Sequence, residues 1–200
     1  MEIEENMKLV TPSGLPPDIW VAIAPAGAAE NRTIPKGRGR RKLESSRGRR
    51  LAATLASEKL GSGELKIRAL DNGKPEAEFN GLEVGISIAH CPDLIGVAIS
   101  KKHRLGLDLE CAERRVKPTL LDRILNPAES EIRSRCSPIQ IWTIKEAVLK
   151  WTGSGLRTPM RDISILGEGK PLFYTEISDG KCLNICTFKY QNHWISIAFD

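Results

Sequence analysis

The stretch WTIKEAVLK, at residues 142–150, decides how the second half of the chain folds. Pro138 precedes it, and proline is favoured in the first turn of a helix. The glycine-containing segment 152–155 follows it and is a typical helix stop. The sequence therefore predicts a helix from Pro138 to this segment, with Glu146 and Lys150 one turn apart on the same face. Such a pair is either an ordinary i, i+4 ion pair or, with two metal ligands elsewhere, part of a phosphoryl-transfer site.

A second acidic motif precedes this helix, the run LGLDLE at residues 105–110. Successive side chains of a strand point to opposite faces, so Asp108 and Glu110 would share one face and the leucines the other. Adjacent carboxylates repel each other unless a cation lies between them, which favours a hard divalent metal with oxygen ligands. A strand with a solvated outer face gives the same alternation, and both interpretations stay open.

A lysine and a histidine further upstream are also candidate site residues. Lys74 follows a predicted turn at residues 71–73, and His90 lies in the segment SIAHC at residues 87–91. A lysine next to a turn is usually just exposed, and a single histidine is more often structural than a ligand. By themselves, therefore, these two residues assign no function.

The order of the apolar runs predicts an α+β fold. Short runs rich in β-branched residues predict strands, and longer segments bounded by proline and glycine predict helices. Each half of the chain then has a helix followed by antiparallel strands. We expect two pseudo-duplicated subdomains, residues 1–103 and 104–200, each with a small antiparallel sheet and a long helix, and with a cleft between them. The predicted strands are 18–24, 64–70, 83–89, 94–100, 105–110, 162–166, 172–177, 182–190 and 194–199, and the predicted helical segments are 41–60, 118–136 and 138–151.

The positive charge is concentrated in one segment. The chain carries a formal net charge of +5, but nine cationic residues and one acid, Glu44, lie between Arg32 and Arg50, a local net of +8 that leaves −3 elsewhere. Such a patch favours a polyanionic partner. Nucleic acid, a phosphate-rich small molecule and an acidic protein surface all meet this requirement, and a merely solvated loop is the plain alternative.

The composition favours a cytoplasmic protein. No run approaches the roughly 20 apolar residues of a membrane span, and the acidic residues 1–6 are not followed by a secretory signal pattern. Five cysteines without a CxxC pair argue against a disulfide framework and against a zinc knuckle. We therefore expect no membrane contact.

Four motifs occur together, in order: GKP at residues 73–75, SIAH at 87–90, GLDLE at 106–110 and the helical motif at 142–150. This series resembles the surfactin-type 4'-phosphopantetheinyl transferase superfamily, especially its single-chain bacterial members. The resemblance covers residues 73–150, and the flanking segments agree only in the order of their elements. The helical motif matches at its diagnostic positions, which are Trp142, Lys145, Glu146, Ala147 and Lys150.

The resemblance implies a holo-acyl-carrier-protein synthase, which is a monomer. Such an enzyme transfers 4'-phosphopantetheine from coenzyme A to a serine of an apo acyl or peptidyl carrier protein and releases adenosine 3',5'-bisphosphate. Its carriers serve fatty acid, polyketide or nonribosomal peptide biosynthesis. Asp108 and Glu146 would hold Mg²⁺, with Glu110 a ligand directly or through water. Glu146, or a water bound to it, would accept the serine proton, and Lys150 would contact the phosphates.

The resemblance also implies a nucleotide side of the coenzyme A site. His90 and Lys74 are expected there, and Arg41 and Arg49 are expected on the 3'-phosphate. Ala89 stands where the family usually has a serine, so a hydroxyl contact to phosphate is missing. Two rivals remain: a nucleic-acid-binding protein that uses the basic segment, and a degenerate relative that binds coenzyme A or carrier protein without catalysis. Nucleic-acid binding is disfavoured because no recognisable base-reading motif or aromatic platform accompanies the charge.

Overall fold

The computed structural model describes residues 6–27, 38–167, 172–177 and 179–200. These residues form two antiparallel sheets and four α-helices. The predicted α+β class is therefore confirmed. None of the helices in the described segments combines the length and hydrophobicity that a membrane span requires.

The first sheet has six strands in the order β1-β2-β6-β5-β4-β3. A long helix, α1 (Arg38–Leu60), packs on it and ends at Gly61, whose φ of 97° is readily adopted only by glycine. Leu51 and Leu55 of α1 share a buried apolar cluster with residues of the strands. The strands are β1 (Lys8–Val10), β2 (Ile19–Pro25), β3 (Leu65–Ala69), β4 (Pro75–Phe79), β5 (Leu82–His90) and β6 (Leu94–Ser100).

Two of these strands, β1 and β4, were not predicted. β4 begins with a proline and carries Glu76 and Glu78, which are residue types that strands disfavour. It forms because it pairs with β3 on one side and with β5 on the other, where Ala77 lies opposite Val84. Tertiary pairing thus overrides a weak local preference.

The second sheet has five strands in the order β7-β11-β10-β9-β8. Three helices accompany it: α2 (Pro118–Ile124), α3 (Ser130–Arg135) and α4 (Pro138–Thr152). Gly106 of β7 lets α4 lie close to the sheet, because a Cβ at this position would collide with the carbonyl oxygen of Ala147. The strands are β7 (Leu105–Cys111), β8 (Ile163–Leu166), β9 (Leu172–Ile177), β10 (Cys182–Tyr190) and β11 (His193–Phe199).

Both ends of α4 are capped, at the proline and at the glycine segment that the sequence predicted. The Ser137 hydroxyl accepts a hydrogen bond from the Gln140 N–H at 3.3 Å, and Pro138 is the first helical residue. Gly153 ends the helix with a φ of 72°, and its N–H donates to the Leu149 carbonyl at 3.0 Å. The predicted helix is confirmed and extends one residue further, to Thr152.

A buried apolar layer joins the two sheets. Ala89 and Ile23 of the first sheet share one cluster with Leu107 and Leu109 of β7. The Leu107 N–H also donates to the Ser87 hydroxyl of β5 at 2.8 Å. The division into subdomains at residue 103 stays a prediction.

A fully buried ion pair ties α4 to the segments around it. Lys145 is 0% exposed, and its Nζ donates to Glu129 Oε2 at 2.6 Å, the side chain of Glu129 itself being 1% exposed. Three backbone carbonyl oxygens also lie within hydrogen-bonding distance of this ammonium, at 2.6 to 3.1 Å, so its three N–H groups are shared among four acceptors. Glu129 in turn accepts from the backbone N–H groups of Asn126 and Ile165. The three carbonyls belong to Ile124, Met160 and Ile163.

We expect Lys145→Met to lower the free energy of unfolding by about 3–5 kcal/mol, because it leaves the Glu129 carboxylate buried without its counter-charge. Urea unfolding would measure the loss. Arg133→Met is the matched control, because it breaks the exposed pair with Asp122 at 2.9 Å and should cost less than about 1 kcal/mol. Equal losses in the two variants would show that the buried pair does not hold this region together.

Candidate active site

Asp108 is a buried carboxylate, and one of its two oxygens has no hydrogen-bond partner among the described residues. It lies on β7 and is 8% exposed. Its Oδ1 accepts from Lys150 Nζ of α4 at 2.8 Å, whereas its buried Oδ2 has no partner among the described residues. Burial raises the pKa of Asp108, and the Lys150 ammonium opposes that effect. An unpaired buried carboxylate oxygen is costly unless a ligand satisfies it.

Glu146 brings a second carboxylate to the same place. It lies on α4 one turn before Lys150 and is partly buried, and its carboxylate has no hydrogen-bond partner among the described residues. Burial raises its pKa, and the negative charge of Asp108 raises it further, while Lys150 and Arg114 lower it. Lys150, one turn further along α4, bonds to Asp108 of β7, so the face of α4 that carries Glu146 lies against β7 near Asp108.

Glu110, the third predicted metal ligand, forms an ion pair with Arg114. The Arg114 guanidinium also lies over the Trp142 ring, with Cζ 5.5 Å from the ring centre. Because Arg114 lowers the pKa of both Asp108 and Glu146, it belongs to the same charged cluster. Arg114 lies outside the four motifs that carry the family resemblance. Its position four residues after Glu110 was the sequence signal that could have identified it.

The carboxylate pair fits a hard divalent cation. Asp108 and Glu146 are neighbours with raised pKa values, and one buried oxygen of Asp108 has no partner among the described residues. A divalent cation bound between them would stabilise both negative charges and give that oxygen a ligand. Magnesium usually keeps several waters and takes only one or two protein carboxylates. No group of three or more His, Cys, Asp or Glu side chains in the described segments is arranged to hold a metal, so Glu110 as a third ligand stays a prediction.

Lys74 lies at the C-terminal end of α4. Its Nζ donates to the Trp151 carbonyl at 2.5 Å, and its side chain packs beside Gly153. A cation at this end of a helix interacts favourably with the helix dipole. Burial lowers the pKa of Lys74 from 10.5 to about 8, and Arg104 contributes in the same direction. Lys74 therefore connects the first half of the chain to α4, and its contact with the nucleotide stays a prediction.

The remaining predicted residues lie on or near α1. His90 Nε2 is 2.9 Å from Glu44 Oε2 of α1, and the His90 side chain is 45% exposed. Arg49 Nη1 donates to the Ile67 carbonyl at 2.6 Å, and Arg47 donates to the carbonyls of Ala26 and Gly27. The side chain of Arg41 lies outside the described residues. Part of the basic segment therefore joins α1 to its neighbours.

Ala89 is buried in the apolar layer between the two sheets. Ser87, on the same face of β5, already supplies a hydroxyl that reaches β7. An alanine suits the apolar surroundings at position 89, which explains the departure from the family pattern without reference to a phosphate.

A carboxylate on a strand and another on a helix, with Lys150 bonded to the first, form an arrangement compatible with the class of proteins that carry out metal-assisted phosphoryl transfer. Residues 104–198, almost half of the chain, match the family model of the 4'-phosphopantetheinyl transferase superfamily. The chain thus contains a domain of this superfamily, and the resemblance is confirmed at that level. The surfactin-type subdivision stays a prediction. No curated protein matches the chain.

We expect Glu146→Gln to raise the melting temperature of the metal-free protein. Its raised pKa means that the ionised form costs stability at neutral pH, and the amide removes that charge while keeping the shape. A gain of about 1 kcal/mol corresponds to roughly 2–4 °C in a chain of this size, measured by thermal unfolding with a chelator present. Glu131→Gln, on the exposed pair with Arg135, is the control. A lower melting temperature for Glu146→Gln than for this control would contradict the interpretation.

Lys74 should make stability rise with pH in the alkaline range. Between about pH 8 and pH 10.5 the unfolded chain keeps a proton that the native lysine has lost, so the unfolded state binds more protons and stability increases with pH. Urea unfolding of the wild type and of Lys74→Met should show a difference that grows in favour of the wild type across this range. Lys66→Met, which removes an exposed lysine from β3, corrects for the loss of one charge. A difference that shrinks as the pH rises would refute the assignment.

Proposed function

We propose that this protein transfers the 4'-phosphopantetheine arm of coenzyme A to a serine hydroxyl of an apo acyl or peptidyl carrier protein. The observation that carries the proposal is the neighbouring pair of carboxylates on β7 and α4, Asp108 and Glu146, with Lys150 bonded to the first. The superfamily match over residues 104–198 includes all three.

Asp108 and Glu146 would hold Mg²⁺, and Glu110 is proposed to contribute directly or through water. When bound, the ion supplies positive charge that neutralises the diphosphate of coenzyme A and favours attack at the phosphorus. Asp108 offers its unpaired Oδ2 for this purpose. The remaining chemistry belongs to the side chains of the chain itself.

Glu146 is proposed as the group that takes the proton from the serine hydroxyl, directly or through a water. Burial and the neighbouring Asp108 raise its pKa, which makes it a stronger base than an exposed glutamate. As the serine oxygen forms its bond to the β-phosphorus of coenzyme A, the bond from that phosphorus to the bridging oxygen breaks. The proton is held by Glu146, directly or through the water, and adenosine 3',5'-bisphosphate departs with the electron pair of the broken bond. No covalent enzyme intermediate is required.

Lys150 is proposed to bind the phosphates and to assist the departing one. Its ammonium has three donors, and Asp108 is its one hydrogen-bond partner among the described residues. The remaining donors are available to phosphate oxygens as negative charge develops on the leaving group. Asp108 also fixes the position of the ammonium, so the charge does not need to reorganise during the reaction.

The nucleotide of coenzyme A is proposed to lie toward α1, near His90, Lys74, Arg41 and Arg49. His90 is the most open of the described side chains in this set, and its Nε2 contacts Glu44 of α1. Lys74 and Arg49 donate to backbone carbonyls, so their main contribution would be to hold the walls of the site.

We further propose that the protein acts as a monomer in the cytoplasm. Its five cysteines are free thiols, which agrees with a reducing compartment. Positive charge on the segment between Arg32 and Arg50 would steer an acidic carrier. Nucleic-acid binding would use the same charge but leaves the acidic pair on β7 and α4 unexplained.

The direct test is transfer itself. The protein, an apo carrier protein, coenzyme A and Mg²⁺ are incubated, and the carrier is weighed by mass spectrometry. We expect the gain of one phosphopantetheine in the wild type and a rate at least about a hundredfold lower in Glu146→Gln, because metal binding and proton transfer both depend on that charge. Glu131→Gln, which changes an exposed side chain of α3, should keep the wild-type rate.

Carriers from fatty acid, polyketide and peptide synthetases should be tried in parallel, because they present similar helices to such an enzyme. Failure with all of them, despite a folded protein, would contradict the proposed function. Equal rates in the Glu146 and Glu131 variants would contradict the assignment of the site.

A further inference from the structure

Arg114 is a charged residue of the site that the proposed mechanism does not use. β7 ends at Cys111, and the chain turns back so that the Arg114 N–H donates to the Cys111 carbonyl at 3.0 Å. The turn returns the Arg114 side chain to Glu110, the last acidic residue of the strand. Arg114 therefore stands at the acidic end of β7 and does not extend away from it.

Two elements hold the Arg114 guanidinium. Its Nη1 donates to Glu110 Oε1 of β7, and its Cζ lies over the Trp142 ring of α4, 5.5 Å from the ring centre. Stacking on an aromatic face and pairing with a carboxylate are both typical of arginine and less favourable for lysine. The side chain is nevertheless 46% exposed, so the group is fixed in place and still open to a ligand.

Arg114 lies close enough to the carboxylate pair to change its charge balance. Its positive charge lowers the pKa of both Asp108 and Glu146. Lys150 pairs with Asp108 and Arg114 pairs with Glu110, which leaves Glu146 without an ion-pair partner among the described residues. Glu110 lies two residues after Asp108 on β7, and Trp142 lies one turn before Glu146 on α4. Because Arg114 contacts both Glu110 and Trp142, its guanidinium borders the space in which the proposed mechanism places the diphosphate of coenzyme A.

Most of the hydrogen-bonding capacity of Arg114 is unused. A guanidinium has five N–H donors in a planar fork, and in the described part of the chain Glu110 is the only acceptor for the Arg114 side chain. Such a fork matches the oxygens of a phosphate and binds them in pairs.

We propose that Arg114 binds the diphosphate of coenzyme A directly, as a substrate-binding residue at the end of β7. The inference rests on the proposed function, because it names a further contact to the same donor. Trp142, the first residue of the helical motif, then acts as a positioning residue: it supports the guanidinium from α4.

The test compares two adjacent arginines. Arg115 is exposed and has no side-chain partner among the described residues, so Arg115→Gln removes the same charge without touching the site. The dissociation constant of coenzyme A is measured by calorimetry with Mg²⁺ and without carrier protein, so that no turnover occurs. We expect Arg114→Gln to weaken binding about tenfold to a hundredfold, the range for a lost hydrogen bond to a charged group, and Arg115→Gln to change it less than about twofold. Arg114→Lys should fall between them, because it keeps the charge but loses the fork.

Repeating the comparison in the Glu110→Gln variant separates a direct contact between Arg114 and coenzyme A from an indirect effect through Glu110. In Glu110→Gln, adding Arg114→Gln should still weaken coenzyme A binding about tenfold or more. If adding Arg114→Gln causes no further loss of coenzyme A affinity, Arg114 acts only by holding Glu110. If the Arg114 and Arg115 substitutions have equal effects, only the net charge of the region matters. Either result overturns the inference. If the wild type neither binds coenzyme A nor modifies any carrier, the result contradicts the proposed function itself and not only the role of Arg114. Thermal unfolding of Arg114→Gln close to that of Arg115→Gln would confirm that the fold is intact.

Discussion

The second half of the molecule depends on one buried interaction, the pair between Lys145 and Glu129. An ammonium with no exposed surface is unfavourable in an apolar interior unless every donor is used. Here a carboxylate and three carbonyls surround it, and Glu129 is itself bonded to two backbone N–H groups. This network connects α4 to the end of α2, to the turn before α3 and to the start of β8. It therefore fixes the rotation and height of α4 relative to the sheet.

The rotation of α4 determines which of its side chains face β7. Adjacent residues on a helix point about 100° apart, so anchoring Lys145 on one side directs Glu146 toward β7, where Asp108 lies. The close approach is possible because Gly106 has no side chain to separate the helix from the strand. The arrangement of charges proposed for function therefore lowers the stability of the protein at this site. Hydrogen-bond partners surround the Lys145–Glu129 pair, whereas Asp108 makes the ionised form of Glu146 less favourable and has one buried oxygen without a partner among the described residues. Such a deficit is typical of a site built for a charged ligand.

The sequence predicted most elements because their local signals agreed with the tertiary structure. Pro138 and Gly153 marked the ends of α4, and β-branched runs marked the long strands. β4 was missed because its proline and glutamates resemble a loop, and only pairing with β3 and β5 makes it a strand. The carboxylate pair was predictable from spacing and resemblance together. Glu129, Arg114 and the contact of Lys74 with Trp151 were not, because each depends on a partner distant in sequence or on the path of a turn. Local patterns define which face a residue occupies, but they do not identify what meets that face.

The central claim is that Asp108 and Glu146 hold one divalent cation between them. The most direct measurement is a crystal structure of the protein grown with Mn²⁺, with anomalous data that locate the metal independently of the model. We expect one strong anomalous peak per chain, within bonding distance of carboxylate oxygens from both β7 and α4, and its loss in crystals of Asp108→Asn. A peak bound by only one of the two carboxylates, or located elsewhere in the molecule, would contradict the claim.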